Sequence, residues 1–182
     1  MLWGKGYGLP LPHNYKPQFM EQKEISIHEA LPILKEVLNM SGLTKLMGKS
    51  VSWFFNKENE RVAPFSLKTW GFAEKDSDLI NNSLSRIADE CESHLIKPLA
   101  EGVDRKEHHV YAVSQLKEIR KLISFVYLRE KHTTISEQSL SRKLRSAPNK
   151  GSICMFTESD ISQINEGLKA VARQLRSIKI TL

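Results

Sequence analysis

Two stretches decide the fold: FAEKDSDLINNSLSRIA over Phe72–Ala88 and FTESDISQINEGLKAVA over Phe156–Ala172. Laid on each other at a constant offset of 84 residues, Phe72, Glu74, Asp76, Ile80, Asn81, Leu84 and Ala88 meet Phe156, Glu158, Asp160, Ile164, Asn165, Leu168 and Ala172, and Ile87 meets Val171. Self-similarity held in register is the mark of an internal repeat. A second block, ALPILKEV at Ala30–Val37, matches AVSQLKEI at Ala112–Ile119 at an offset of 82. The two offsets differ by a short insertion or deletion, so the chain reads as one ancestral module of roughly 60–75 residues used twice.

Apolar spacing around these blocks is helical throughout. Leu79, Ile80, Leu84, Ile87, Ala88 and Cys91 form one stripe of a helix expected from about Ala73 to Ile96, with Glu74, Asp76 and Asp78 favourable at its positive end. Thr157 caps the last helix, whose core face is read as Ile161, Ile164, Leu168, Val171, Leu175 and Ile178. Arg173, Arg176 and Lys179 near its end suit the dipole and form a solvated face. Val110, Val113, Leu116, Ile119, Leu122, Ile123 and Val126 predict one long helix over Asp104–Lys131 that links the modules. Ser26-Ile-His-Glu29 has the form of a capping box, whereas Pro32 argues for a start near Leu31. Ser41-Gly42 is expected to end that helix. The polar stretch Asn56–Gly71, with Pro64, and Arg145–Cys154, with Pro148 and Gly151, read as loops.

The expected organisation is therefore an extended Gly-, Pro- and aromatic-rich arm over residues 1–24, a first module over 25–100 and a second over 104–182. The 182-residue chain has a net charge of +6, unevenly spread. Residues 1–100 hold 12 Lys+Arg against 12 Asp+Glu, and residues 101–182 hold 15 against 9. A basic half points to a polyanionic partner, most commonly nucleic acid. Apolar runs are too short for a transmembrane helix, and the N-terminus lacks the apolar core of a secretory signal. Cys91 and Cys154 share no spacing pattern and are expected as thiols in a reducing cytoplasm.

Leu43-Thr44…Gly48-Lys49-Ser50…Phe54 carries the local signal for function. A small residue at 44 lets two helices cross closely, Gly48 tolerates positive φ, Ser50 caps the next helix and Phe54 sits at its apolar site. This pattern resembles the helix-turn-helix of Cro/C1-type regulators, which implies that Lys49, Ser50, Ser52, Asn56 and Lys57 lie toward DNA. Trp53 and Phe55 fit a DNA-reading helix poorly and suit core or a protein-binding patch. Thr133–Leu144 looks like a second recognition segment, with Ile135, Leu140 and Leu144 as anchors and a degenerate first helix upstream. Its Ser136, Gln138, Ser139, Arg142 and Lys143, with Arg145 and Lys150 just beyond, are donor-rich types that read base edges and phosphates. The closing-helix signature is also loosely similar to small uncharacterised proteins of phages and mobile elements in gut bacteria.

No catalytic, metal or cofactor pattern appears. His108-His109 diverge by about 100° on a helix and cannot chelate one ion. His28, His94 and His132 lack partners at ligand spacing. The acids at Asp76/Asp78 and Glu158/Asp160 belong at helix starts for structural reasons. The expectation is an all-α protein of two helix-turn-helix-containing modules, not an enzyme, that binds double-stranded DNA as a regulator. The alternative is a protein-interaction module, of accessory or anti-repressor type, that kept the fold and lost DNA reading.

Overall fold

Capping chemistry and apolar spacing set each element in turn, in a computed structural model that describes residues 22–60, 71–145 and 154–182. Strand β1 (Lys23–Ser26) runs into α1 (Ile27–Val37). The capping box at their junction is complete: the Glu29 amide donates to Ser26 Oγ at 3.3 Å, and the Ser26 amide to Glu29 Oε2 at 3.1 Å. It starts α1 at Ile27 and not near Leu31. Pro32 lies inside the helix, where the bond it forgoes is only that to the first-turn carbonyl of His28. Because β1 begins at Lys23, residues 23–24 belong to it and not to an arm; the rest of the expected arm, residues 1–21, lies outside the described residues.

The first helix ends earlier than Ser41-Gly42 suggests. Leu38 and Asn39 are extended, and Asn39 caps a new helix, α2 (Met40–Leu46), by accepting the Ser41 amide at 3.1 Å. Gly42 is then a packing residue: a Cβ there would stand 2.0 Å from the carbonyl oxygen of Lys121. Gly48 turns the chain at φ +66°, and Ser50 caps α3 (Val51–Glu58) by accepting the Trp53 amide at 3.0 Å. Asn56–Glu58 are thus helical, and 61–70 lie outside the described residues. The helix α4 (Glu74–Ser93) stops short of Ile96.

The long helix expected over Asp104–Lys131 is two. Helix α5 (Arg105–Ile119) stops, and α6 (Phe125–His132) starts on Ser124, whose side chain accepts the Tyr127 amide at 3.3 Å. The break has a tertiary cause. Leu38 and Ile123 form an antiparallel bridge, with the Asn39 amide donating to Leu122 O at 2.9 Å and the Ser124 amide to Val37 O at 2.9 Å. Those bonds compete with helix continuation and win because both residues bury their side chains. After α7 (Glu137–Arg145) and α8 (Glu158–Arg176), the chain ends in β2 (Ile178–Thr181), so Ile178 belongs to a strand and not to the last helix. Strand β2 pairs in parallel with β1, Ile25 opposite Ile180.

The class is all-α, and among the described residues this short sheet is the only one and no helix is long and apolar enough to cross a membrane. Elements follow one order twice: a helix, a short helix pair, a long helix. The most extensive contact joins the long helices α4 and α8, which bury Ile80, Leu84, Ile87, Ile164, Leu168 and Val171. Two amide side chains clamp that interface reciprocally. Asn81 on α4 accepts the Ile180 amide and donates to the Ile180 carbonyl, both at 2.9 Å. Asn165 on α8 does the same to Ile96, at 2.9 and 2.8 Å. Both the clamping residues and their targets are 84 apart.

Candidate nucleic-acid interface

The helices α3 and α7 each follow a short helix and a capped turn, and their partners behind them decide which side chains face outward. Behind α3 lie Phe54, fully buried, and Phe72, edge to face at 5.5 Å between ring centroids. Behind α7 lie Leu140 and Ile135, with Leu128 of α6 beneath. Leu128 is the buried residue of α6, a helix that apolar spacing alone merges into one long helix with α5.

Lys57 and Lys143, expected at DNA, are turned inward. Lys57 Nζ lies 2.8 Å from Asp76 Oδ2, donates to Gly71 O at 2.7 Å and sits 5.3 Å above the Trp53 ring. Lys143, 7% exposed, pairs with Asp160 and lies 5.8 Å from the Phe156 centroid. Each carboxylate also holds the first amide of its own helix, Ala73 for Asp76 at 2.9 Å and Thr157 for Asp160 at 2.7 Å. The reason is proximity: the last turns of α3 and α7 end over the first turns of α4 and α8, where acids favoured by the helix dipole wait. Burial pushes the Asp160 carboxyl up, but Lys143 and the Thr157 amide and hydroxyl together hold it below the ordinary value. His109 completes this corner. Its Nδ1 accepts the Phe156 amide at 3.4 Å, and burial, helped by the Lys143 charge, lowers its pKa and keeps the ring neutral.

The remaining sequence-predicted residues divide by exposure. On the first half, Ser50 and Ser52 are exposed, Asn56 is half-buried and Lys49 is exposed with its ammonium 5.4 Å from the Trp53 ring. Trp53 itself is half-buried against Phe54 and Phe72, so it is packing, whereas Phe55 is 41% exposed. Glu58 is engaged with Lys35. The outward side of α3 is therefore close to neutral. On the second half, Ser136 caps α7 by accepting the Ser139 amide at 3.2 Å, and Ser139 is half-buried. Gln138, Arg142 and Arg145 are exposed, and neither arginine has an ion-pair partner among the described residues. Arg145 is the last residue of α7 and not loop, and Lys150 lies outside the described residues.

Further cations come alongside that sequence reading placed elsewhere. With α5 and α6 separated, Lys117 and Arg120 line the same groove as Arg145. Toward the other end of the molecule, Arg176 is not simply solvated: it bridges Asp89 at 2.7 Å and Glu92, which hold its guanidinium above its usual range, and Lys179 pairs with Glu24 at 2.6 Å. Among the described residues no group of three or more His, Cys, Asp or Glu is gathered as a metal site requires. Cys91 is buried, and that burial pushes its thiol up to about 12. No protein-family model matches the chain, and no curated protein or solved structure matches it.

Proposed function

We propose that the protein binds double-stranded DNA, as a regulator of phage or mobile-element type, with α7 laid toward the major groove. The observation that carries this reading is the outer side of α7: Gln138, Arg142 and Arg145 are exposed together, and its arginines are not neutralised by any described acid. Guanidinium and amide groups at the start and side of a capped helix suit base edges and phosphates. The α6–α7 and α2–α3 pairs, with Gly48 in the left-handed region at the second of these turns, support a helix-turn-helix reading of both halves. The matched order of elements supports one module used twice. The second half supplies most of the charge, so the two half-sites on DNA differ.

Fluorescence anisotropy with a random-sequence duplex across a salt series tests it. Affinity should fall steeply with salt, and Arg142→Ala with Arg145→Ala should lower the log–log salt slope by about 1 per lost phosphate contact. Lys143 is unsuitable as a control because its removal leaves Asp160 buried without its cation. Absence of binding at low salt sinks the proposal. One observation favours a second reading, a protein-interaction module: Phe55 stands 41% exposed on the nearly neutral side of α3.

A further inference from the structure

We propose that the groove between α5, α6 and α7 docks an acidic segment of a protein partner that inserts an aromatic side chain. The groove has a volume of about 580 Å³. Leu116 and Leu140 form a buried floor, and the exposed Lys117, Arg120 and Arg145 stand around it. None of these three cations has an ion-pair partner among the described residues, and Glu137 is the single acid in the lining. Val126, also lining the groove, is 60% exposed. An apolar floor ringed by unpaired positive charge matches an acidic polypeptide with an apolar anchor. It matches a nucleic acid less well, since phosphates gain nothing from an apolar floor.

The first half identifies the anchor. Lys35 and Lys117 align in the LKE blocks, while Phe55 and Ser141 each stand five residues after the serine that caps their helix. In the first half, Phe55 lies 5.5 Å beneath the Lys35 ammonium, and Glu58, one turn on, pairs with the same ammonium. The chain fills that place with its own aromatic and its own acid. In the second half Ser141 and Leu144 stand there instead, so among the described residues Lys117 meets neither an aromatic nor an acid. The partner supplies both groups, an aromatic with an acid one helical turn later, as helix-in-groove recognition does.

The probe is a fluorescein-labelled helical peptide of Glu and Ala carrying one Phe-x-x-Glu pair, titrated with the full chain. Ser141→Phe, which copies Phe55 into the groove, should weaken binding about tenfold or more, as should replacing the peptide's Phe by Ala. Ser141→Ala and Arg142→Ala should leave binding unchanged, since neither fills the groove nor removes a charge from it. Should Ser141→Phe fail to fold, Lys117→Glu with Arg120→Glu, both exposed, must weaken binding comparably. An unbound peptide, or one held equally by the Ser141→Phe chain with unchanged circular dichroism, overturns the proposal. So does a duplex that loses binding on Ser141→Phe while the peptide is never bound, which makes the groove part of a DNA surface. An unsubstituted chain that binds the peptide but no duplex at low salt overturns only the DNA reading.

Discussion

Asp160 receives a lysine, a backbone amide and a hydroxyl at one carboxylate, and its neighbour His109 is held neutral by burial. Both facts have consequences for acid stability. A histidine whose folded pKa is depressed stays neutral while the unfolded chain takes up a proton, so stability falls as pH drops through the ordinary value of 6.5. His132, also depressed by burial, adds to the same window. The Asp160 contribution is fully present above its ordinary value of 3.8 and is lost below it, because the folded carboxylate resists protonation. Urea midpoints should therefore decline from pH 7.5 to 5.5 and drop again below about pH 4. His109→Gln should flatten the first decline; a midpoint constant between pH 7.5 and 5.5 would contradict this reading of both rings. This corner explains why Lys143 is a poor candidate for reading DNA, and the Asp76 corner does the same for Lys57: an inward-turned ammonium with a carboxylate, a carbonyl or a ring around it is anchoring its helix.

At the scale of elements, helix ends are decided by what lies across from them. The turn between α5 and α6 exists because residues 122–124 bond to residues 37–39 of the first half. Gly42 seals the other side of that turn, with Lys121 O where a Cβ would stand. Gly42→Ala therefore has no room and must displace the turn, costing about 2–3 kcal/mol in a urea unfolding experiment despite alanine's better helix propensity. The exposed neighbour Ser41→Ala should change stability by less than about 0.5 kcal/mol. A neutral or stabilising Gly42→Ala would mean that α2 does not press on the turn. The position of α6, and with it the groove and the orientation of α7, depends on this contact.

For the whole molecule, the halves hold each other through α4 against α8, the β1–β2 pair and the reciprocal Asn81 and Asn165 clamps. Even the charges along the shared helices are complementary at the 84-residue spacing, Glu92 facing Arg176. Such an interface resembles that of a two-fold dimer joined into one chain. A protease site placed at the exposed loop Glu101–Val103 gives the test. After cleavage, the halves should co-elute in gel filtration, and the midpoint of unfolding should become dependent on protein concentration. Halves that separate at micromolar concentration under native conditions would show that the connection, and not the interface, holds them.

The sequence by itself determined the helical class, the two long helices and most of their buried stripes, the caps at Ser50 and Thr157, and the sharp turn at Gly48. All of these depend on residues within a turn or two of one another, where apolar spacing and side-chain capping act locally. The capping serines and the exposed Gln138 and Arg142 of the candidate interface were legible for the same reason. Only the tertiary structure decided that residues 104–131 make two helices, that Ser41-Gly42 opens a helix, that residues 23–26 and 178–181 pair as strands, and that Lys57 and Lys143 point inward. Each of these turns on a partner far away in the chain: a carbonyl at residue 37, a turn at 121, a strand about 155 residues off, a carboxylate on the next long helix. Local pattern carries no record of such partners, because burial and pairing are settled by which surfaces meet, and a lysine looks the same in sequence whether it meets phosphate or aspartate.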